Sequence, residues 1–174
     1  MNLWHDIPPG TKEVFNVIVE IPKLSRVKYE LDKKTGLIHV DRVLYSPMHY
    51  PANYGFVPQT LWDDGDPLDV LVLSHEPFVP GCLVATRPIG VLSMTDGGDS
   101  DTKVLGVPKN DPRFNSIQDL IDLEPHTLEE IHHFFRVYKD LQRKEVLVGN
   151  WEPKSKAQAD FECSRKQYQD RYSK

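Results

Sequence analysis

Prolines and glycines break the first two-thirds of the chain into short apolar runs, and this pattern constrains the fold more than any other feature. Each run has the length and the β-branched and aromatic content of a single strand. The strands predicted in this way are residues 14–21, 27–31, 37–44, 70–74, 83–94 and 104–107. The letters DKKTG at 32–36 indicate a hairpin loop between the second and third strands. Many short strands joined by turns predict a closed or nearly closed β-barrel.

The periodicity changes in the last third of the chain. The letters TLEE have the form of a capping box, with Thr127 as the cap and Glu130 three residues on. Apolar residues then recur at helical spacing, so we expect an amphipathic helix over residues 128–143. A short strand and a second, more polar helix are predicted at 145–148 and 154–172. The expected architecture is a small barrel with helices packed on its outside.

Composition narrows the class of protein further. A chain of 174 residues suits one domain, spanning 1–174, with one core. We expect no membrane span or signal peptide, and hence a cytoplasmic location, because no long apolar run or basic–apolar leader is visible. Cys82 and Cys163 fit neither a CxxC site nor a disulfide framework, so we expect reduced thiols. The net charge of −5 argues against nucleic acid but permits a small anionic substrate.

The most acidic loop of the chain carries Asp64, Asp66 and Asp69 in the letters DGDPLD. Carboxylates this close repel one another unless cations neutralise them. Gly65 and Pro67 favour a tight loop that keeps them together. Mg²⁺ prefers such oxygen ligands, whereas the spacing of an EF-hand is absent. Taken alone, a loop of this kind is usually an acidic surface turn.

A second acidic cluster comprises Asp96, Asp99 and Asp101, after a predicted strand. By itself it could be a solvated hairpin turn. Two such clusters in one small barrel favour a site for several metal ions. Lys103 could pair with these carboxylates or with an anionic ligand.

Charged residues also interrupt the predicted strands. Glu20 lies in an apolar run, and a buried charge is costly unless it is paired, so we expect it to face a polar cavity. Lys28 and Glu30 share one face of their strand, and Asp41 and Arg42 lie within the next. One such charge would be an ordinary exposed residue, but together they indicate a polar barrel mouth.

Several aromatic residues allow two interpretations. Tyr50 and Tyr54 could direct hydroxyls towards a bound phosphate, although ordinary packing explains them nearly as well. Tyr138, beside Lys139, belongs to the apolar stripe of the predicted helix and is expected in the core.

These blocks, in this order and spacing, resemble the soluble family I inorganic pyrophosphatases of bacterial type. The matching letters are VEIP at 19–22, KYE at 28–30, DR at 41–42, YPANYG at 50–55, DGDPLD at 64–69, MTD at 94–96 and YK at 138–139. The resemblance implies an OB-like five-stranded barrel, mostly β in an α+β chain, with two C-terminal helices outside. It also implies a homohexamer, several Mg²⁺ ions per site and pyrophosphate as substrate.

The resemblance also implies a role for each matching residue. The expected ligands of the tightest metal are Asp64, Asp69 and Asp101, and those of a metal arriving with the substrate are Asp96 and Asp101. Asp66 matches the base that activates the attacking water. The phosphate-binding positions are Lys28, Arg42, Tyr54, Tyr138 and Lys139, and the supporting positions are Glu20, Glu30, Tyr50 and Lys103.

The chain departs from the family pattern at two places. Gly97 stands where the family typically has glutamate, a change that leaves the expected metal ligands in place. His133 matches a histidine at a subunit contact, but Val137 replaces a second histidine often found near it.

The expected activity is hydrolysis of pyrophosphate to two phosphates by direct in-line attack of a metal-activated water. One alternative is a non-catalytic module that binds divalent cations, which would leave the lysines, the arginine and the tyrosines without a role. The other is an OB-fold that binds oligonucleotides, against which the acidic balance argues.

Overall fold

The computed structural model describes residues 1–172. Its strands are β1 (Gly10–Thr11), β2 (Val14–Ile21), β3 (Val27–Leu31), β4 (Ile38–Val43), β5 (Asn53–Phe56), β6 (Asp69–Val72), β7 (Leu83–Asp96), β8 (Asp99–Ser100), β9 (Lys103–Pro108) and β10 (Val146–Pro153). Its helices are α1 (Pro125–Val137) and α2 (Lys154–Tyr172), and short 3-10 helices lie at Pro112–Phe114, Leu120–Asp122 and Asp140–Gln142.

Five of the strands form a closed ring. Strand β2 pairs with β5, β5 with β6, β6 with β9, β9 with β7, and β7 returns to β2. The β6–β9 pair is parallel and the other four pairs are antiparallel. The long β7 can belong to two sides of the ring because its first residues pair with β2 and its later residues with β9. The predicted five-stranded barrel is thereby confirmed.

Both helices pack on the outside of the barrel. Helix α1 buries Ile131, Phe134 and Phe135 in the largest apolar cluster. Helix α2 stacks the Phe161 ring on that of Phe15 in β2, with the centroids 4.4 Å apart. Burying aromatic rings of this size is among the larger stabilising contributions that a small domain has. The prediction of two helices outside a β-barrel is therefore also confirmed.

Strands β3 and β4 form a separate two-stranded ribbon. The predicted hairpin loop at 32–36 joins them, and Lys28 lies opposite Arg42 in their register. Because the ribbon stands beside the ring, it carries charged residues to the barrel mouth without using barrel positions.

The prediction for the first helix was wrong at both ends. Thr127 is not the cap: Glu124 is, and its carboxylate accepts the N–H of Thr127 at 3.2 Å. Pro125 opens α1 because its fixed φ and missing N–H suit a first helical position. The helix ends at Val137, and Arg143, at φ +56°, closes a separate 3-10 helix rather than ending α1.

Other differences concern strands. No strand was predicted at β5, which lies in the aromatic segment, or at the two-residue β1 and β8. The last strand, predicted at 145–148, continues to Pro153 through an irregularity between Val148 and Trp151. No helix within residues 1–172 is both long and apolar enough to cross a membrane. Cys82 and Cys163 are free thiols, as expected.

Candidate active site

A polar cavity of about 730 Å³ opens between the barrel mouth and the β3–β4 ribbon. It gathers most of the residues that the sequence singled out. Those lining it are Glu20, Lys28, Glu30, Tyr54, Asp64, Asp66, Asp69, Asp96, Asp101, Lys103, Tyr138 and Lys139. Two acidic clusters that are separate in sequence therefore face one space, together with cations that could bind an anion.

Lys103 is the centre of the cavity floor. It lies beside Asp69 because β6 and β9 run parallel with these residues in register. Its ammonium donates to the carboxylates of Asp69 and Asp101, at 2.6 and 2.5 Å, and to the Tyr54 hydroxyl at 3.0 Å. Burial lowers the pKa of Lys103, but the two carboxylates outweigh it and raise that pKa well above its ordinary value. Burial also raises the pKa of Asp69, against the attraction of Lys103.

Two further carboxyl groups hold protons more tightly than usual. Burial raises the pKa of Glu20 to about 8, and the charge of Asp69 adds to the effect. Its Oε1 accepts the backbone N–H of Leu31 at 2.8 Å, which ties β2 to the ribbon. Partial withdrawal from water raises the pKa of Asp64 to about 6. Burial is the larger cause of the raised pKa at both carboxyl groups.

The remaining acidic residues pair with lysines around the rim. Lys139 contacts Asp96, and it reaches the cavity because α1 stops just before it. Lys28 contacts Glu30 on its own strand, as their shared face predicts. It also lies 3.3 Å from Asp41. These pairs arrange cations around the opening.

Arg42 and Tyr50 are not among the lining residues. The Nε of Arg42 is nevertheless buried with no hydrogen-bond partner among residues 1–172, so it offers an unused donor beside Lys28. Tyr50 is 2% exposed and packs against Tyr54 and Phe134, so it supports the wall from behind. Tyr138 is buried, as expected, yet it also lines the cavity.

No three His, Cys, Asp or Glu side chains in residues 1–172 converge closely enough to hold a metal ion. Most of the cavity carboxylates instead contact lysines. The donor chemistry still fits a hard divalent cation, because the donors are carboxylate oxygens. Burial raises the pKa values of Glu20, Asp64 and Asp69. A bound cation would lower these pKa values and so favour the charged carboxylates.

Sequence reasoning missed residues of the hairpin loop and the N-terminus that also line the cavity. Lys33 contacts Asp66, and the Trp4 ring lies beneath the Lys33 ammonium. Lys34 and His39 add two more basic side chains to the rim. The basic letters of the loop, next to the charged face of β3, were the signal for Lys33 and Lys34. Nothing in the sequence indicated Trp4.

Comparison with known proteins gives a consistent result. A family model described as inorganic pyrophosphatase matches residues 17–169. A soluble inorganic pyrophosphatase of Arabidopsis thaliana is 53% identical over 156 residues, covering 88% of this chain and 74% of that protein. The inorganic pyrophosphatase of Thermus thermophilus superposes with a TM-score of 0.93 at 41% identity, covering 97% of this chain and 99% of the other. The inorganic pyrophosphatase of Helicobacter pylori superposes with a TM-score of 0.90 at 46% identity, covering 94% of this chain and 99% of the other. The chain belongs to the inorganic pyrophosphatase family.

Proposed function

We propose that the protein hydrolyses inorganic pyrophosphate to two phosphates. The observation that carries the proposal is the union, in one cavity, of two acidic clusters with Lys28, Lys103 and Lys139. Carboxylates suit metal ions, and cations suit a phosphate anion. A module that only binds divalent cations would need the acidic groups alone, so this arrangement favours the enzyme.

We propose Mg²⁺ as the cofactor, with several ions per site. Asp64, Asp69, Asp96 and Asp101 would hold them, since each lines the cavity. When bound, the ions would neutralise substrate charge and lower the pKa of the attacking water. The chain itself contributes the cavity, the phosphate-binding cations and the base.

The phosphate-binding groups proposed for this chain come from three parts of the fold, and all but Arg42 line the cavity. Lys28 and Arg42 come from the ribbon, Tyr54 from the barrel wall, and Tyr138 and Lys139 from the end of α1. Cations and hydroxyls placed before the substrate arrives stabilise charge on the transferring phosphoryl and on the leaving phosphate. Glu20, Glu30, Tyr50 and Lys103 would hold these groups in place.

Asp66 is proposed as the base that accepts a proton from the attacking water. Its side chain is 54% exposed at the cavity mouth, so water can reach it. Its backbone N–H is bonded to Asp64 Oδ1 at 2.9 Å, which fixes the loop next to an expected metal ligand. Direct in-line attack by this water needs no covalent intermediate on the protein.

Phosphate release from pyrophosphate tests the proposal. Release should require Mg²⁺, stop on chelation and return when Mg²⁺ is restored. Calcium binding measured on the same preparation checks that metal sites are present. A preparation that binds divalent cations but never releases phosphate, at any Mg²⁺ concentration, would support the binding module instead.

We further propose a single domain over 1–174, a cytoplasmic location and a bacterial-type homohexamer. In support of the bacterial type, the structure superposes on the inorganic pyrophosphatase of the bacterium Helicobacter pylori with a TM-score of 0.90. His133, on the exposed side of α1, is the residue expected at a subunit contact. Sedimentation equilibrium should give six times the 20.0 kDa chain mass.

A further inference from the structure

We propose that Lys33 is a positioning residue, whose ammonium, held over the Trp4 ring, orients the Asp66 carboxylate at the cavity mouth. The inference rests on the proposed function, since it concerns the residue assigned there as the base. It adds to the site a loop lysine and an N-terminal tryptophan. Trp4 lies outside residues 17–169, the part of the chain that matches the family model.

Within the part of the chain that is described, Lys33 is the one hydrogen-bond partner of the Asp66 side chain. The Asp66 backbone is held through its N–H and its carbonyl, which accepts from Trp62 at 2.7 Å. The side chain, being half exposed, has little packing to select its rotamer. Lys33 contacts Oδ1, which leaves Oδ2 free to accept a proton. The same ammonium lies 3.3 Å from the Gly65 carbonyl, so it binds the loop at two points.

A lysine side chain is flexible and can orient a partner only if it is itself held. The Lys33 ammonium lies 5.3 Å from the centroid of the Trp4 ring, within the range of a cation–π interaction. Trp4 is 3% exposed, and its Nε1–H donates to the Thr60 carbonyl at 2.8 Å. The Thr60 hydroxyl accepts the Leu68 N–H at 2.9 Å. The tryptophan is therefore fixed to the base of the loop that carries Asp66.

Hydrogen bonds between the residues that flank Lys33 hold the hairpin loop in shape. Asp32 Oδ1 accepts the N–H groups of Lys34 and Thr35, at 2.8 and 3.3 Å. Gly36, at φ +73°, completes the turn with a 2.7 Å bond to the Asp32 carbonyl. Lys12 is exposed and lies outside the cavity, which makes it a matched control.

Half-exposed ion pairs add little to the stability of a fold. Loss of the Lys33 ammonium should therefore leave the protein folded and change turnover. We expect Lys33→Ala to lower kcat by roughly tenfold with little change in KM, because a misplaced group slows the chemical step more than binding. Lys33→Arg, which keeps the charge and the contact with the ring, should recover most of kcat. Lys12→Ala, which removes the same charge at a distance from the cavity, should behave as wild type.

A double-mutant cycle tests whether Lys33 acts through Asp66. In an Asp66→Asn background, Lys33→Ala should cause no further loss of kcat, and Mg²⁺ binding measured by calorimetry should be unchanged. Two results would overturn the proposal and assign Lys33 to substrate binding. One is a double variant in which the two losses of kcat multiply, and the other is a Lys33→Ala variant with a raised KM and a normal kcat. If wild type is active and Lys33→Ala matches it, this inference alone fails. An inactive wild-type protein would instead overturn the proposed function.

Discussion

Asp63 lies three residues before Asp66 in the same loop, yet of the two only Asp66 lines the cavity. Asp63 is exposed and accepts from Gln167 of α2 at 3.3 Å. The sequence could not separate the neighbouring carboxylates of this loop by chemistry alone. The resemblance to a family did so, and the geometry supports the choice by giving Asp66 access to both water and the cavity.

The Asp66→Asn variant should lose hydrolysis while retaining Mg²⁺. An amide keeps the size of the side chain but cannot accept the proton, so we expect kcat to fall by about 10²–10⁴-fold. Phosphate release and calorimetric titration with Mg²⁺ measure the two properties. Asp63→Asn is the matched control and should turn over normally. Normal turnover by Asp66→Asn would show that another group is the base.

Glu20 makes the metal-free protein sensitive to pH. Its pKa rises from the ordinary 4.5 to about 8 in the folded chain, so between these values the folded state binds more protons than the unfolded state. The free energy of unfolding should therefore fall as pH rises from about 4.5 to about 8. Asp64 contributes in the same direction, up to about 6.

Glu20→Gln should flatten this dependence, because a neutral amide has no charge to bury. Denaturant unfolding at several pH values, in the presence of a chelator, measures the free energy of unfolding. Glu13 is exposed and lies seven residues before Glu20. Glu13→Gln should therefore leave the pH dependence of the free energy of unfolding unchanged. Equal slopes in wild type and Glu20→Gln would mean that Glu20 titrates near its ordinary pKa.

At the scale of elements, the strands with a clear apolar pattern were predictable, whereas β5 and the ends of several elements were not. The bounds of β2, β3 and α2 match the prediction because apolar pattern and flanking turn residues agree there. Helix α1 differs because Thr127 and Glu130 resemble a capping box, whereas the pair of Glu124 and Pro125 caps the helix in the structure. The helix therefore begins at Pro125, three residues before the predicted start.

The turn between β7 and β8 gives a physical reason for Gly97. Gly97 and Gly98 have φ values of +59° and +96°, and they connect the paired Asp96 and Asp99. A two-residue hairpin loop with positive φ at both positions favours glycine or asparagine. A glutamate at 97 would therefore be strained in this turn.

Gly97→Ala should lower the free energy of unfolding by about 1 kcal/mol, the cost of a left-handed conformation for an L-residue. A Cβ at this position would meet no atom within 4 Å, so the cost is one of backbone conformation and not of a clash. Gly97→Asn, which tolerates this region better, should lose less. Thermal and denaturant unfolding measure the difference, and equal stability of all three proteins would show that the turn adapts.

At the scale of the whole molecule, the sequence predicted a barrel and a polar mouth but not how the two acidic clusters meet. Their meeting depends on the parallel pairing of β6 with β9, which are far apart in sequence. No local pattern specifies such a pairing. The β6–β9 pairing places Lys103 between Asp69 and Asp101. The sequence predicted only that Lys103 could pair with carboxylates, whereas in the structure this buried lysine contacts one carboxylate from each cluster.

Metal ions should therefore stabilise the entire fold, because the cavity walls come from the barrel, the ribbon and the end of α1. A ligand that binds only the folded state adds about 2.7 kcal/mol to the free energy of unfolding at 100 times its dissociation constant. Unfolding with and without saturating Mg²⁺ measures this gain. Asp69→Asn should lose most of it, since Asp69 is an expected ligand on the cavity floor. Asp170→Asn, exposed on α2 and absent from the cavity, should keep it. The same gain in all three proteins would place the stabilising ions elsewhere.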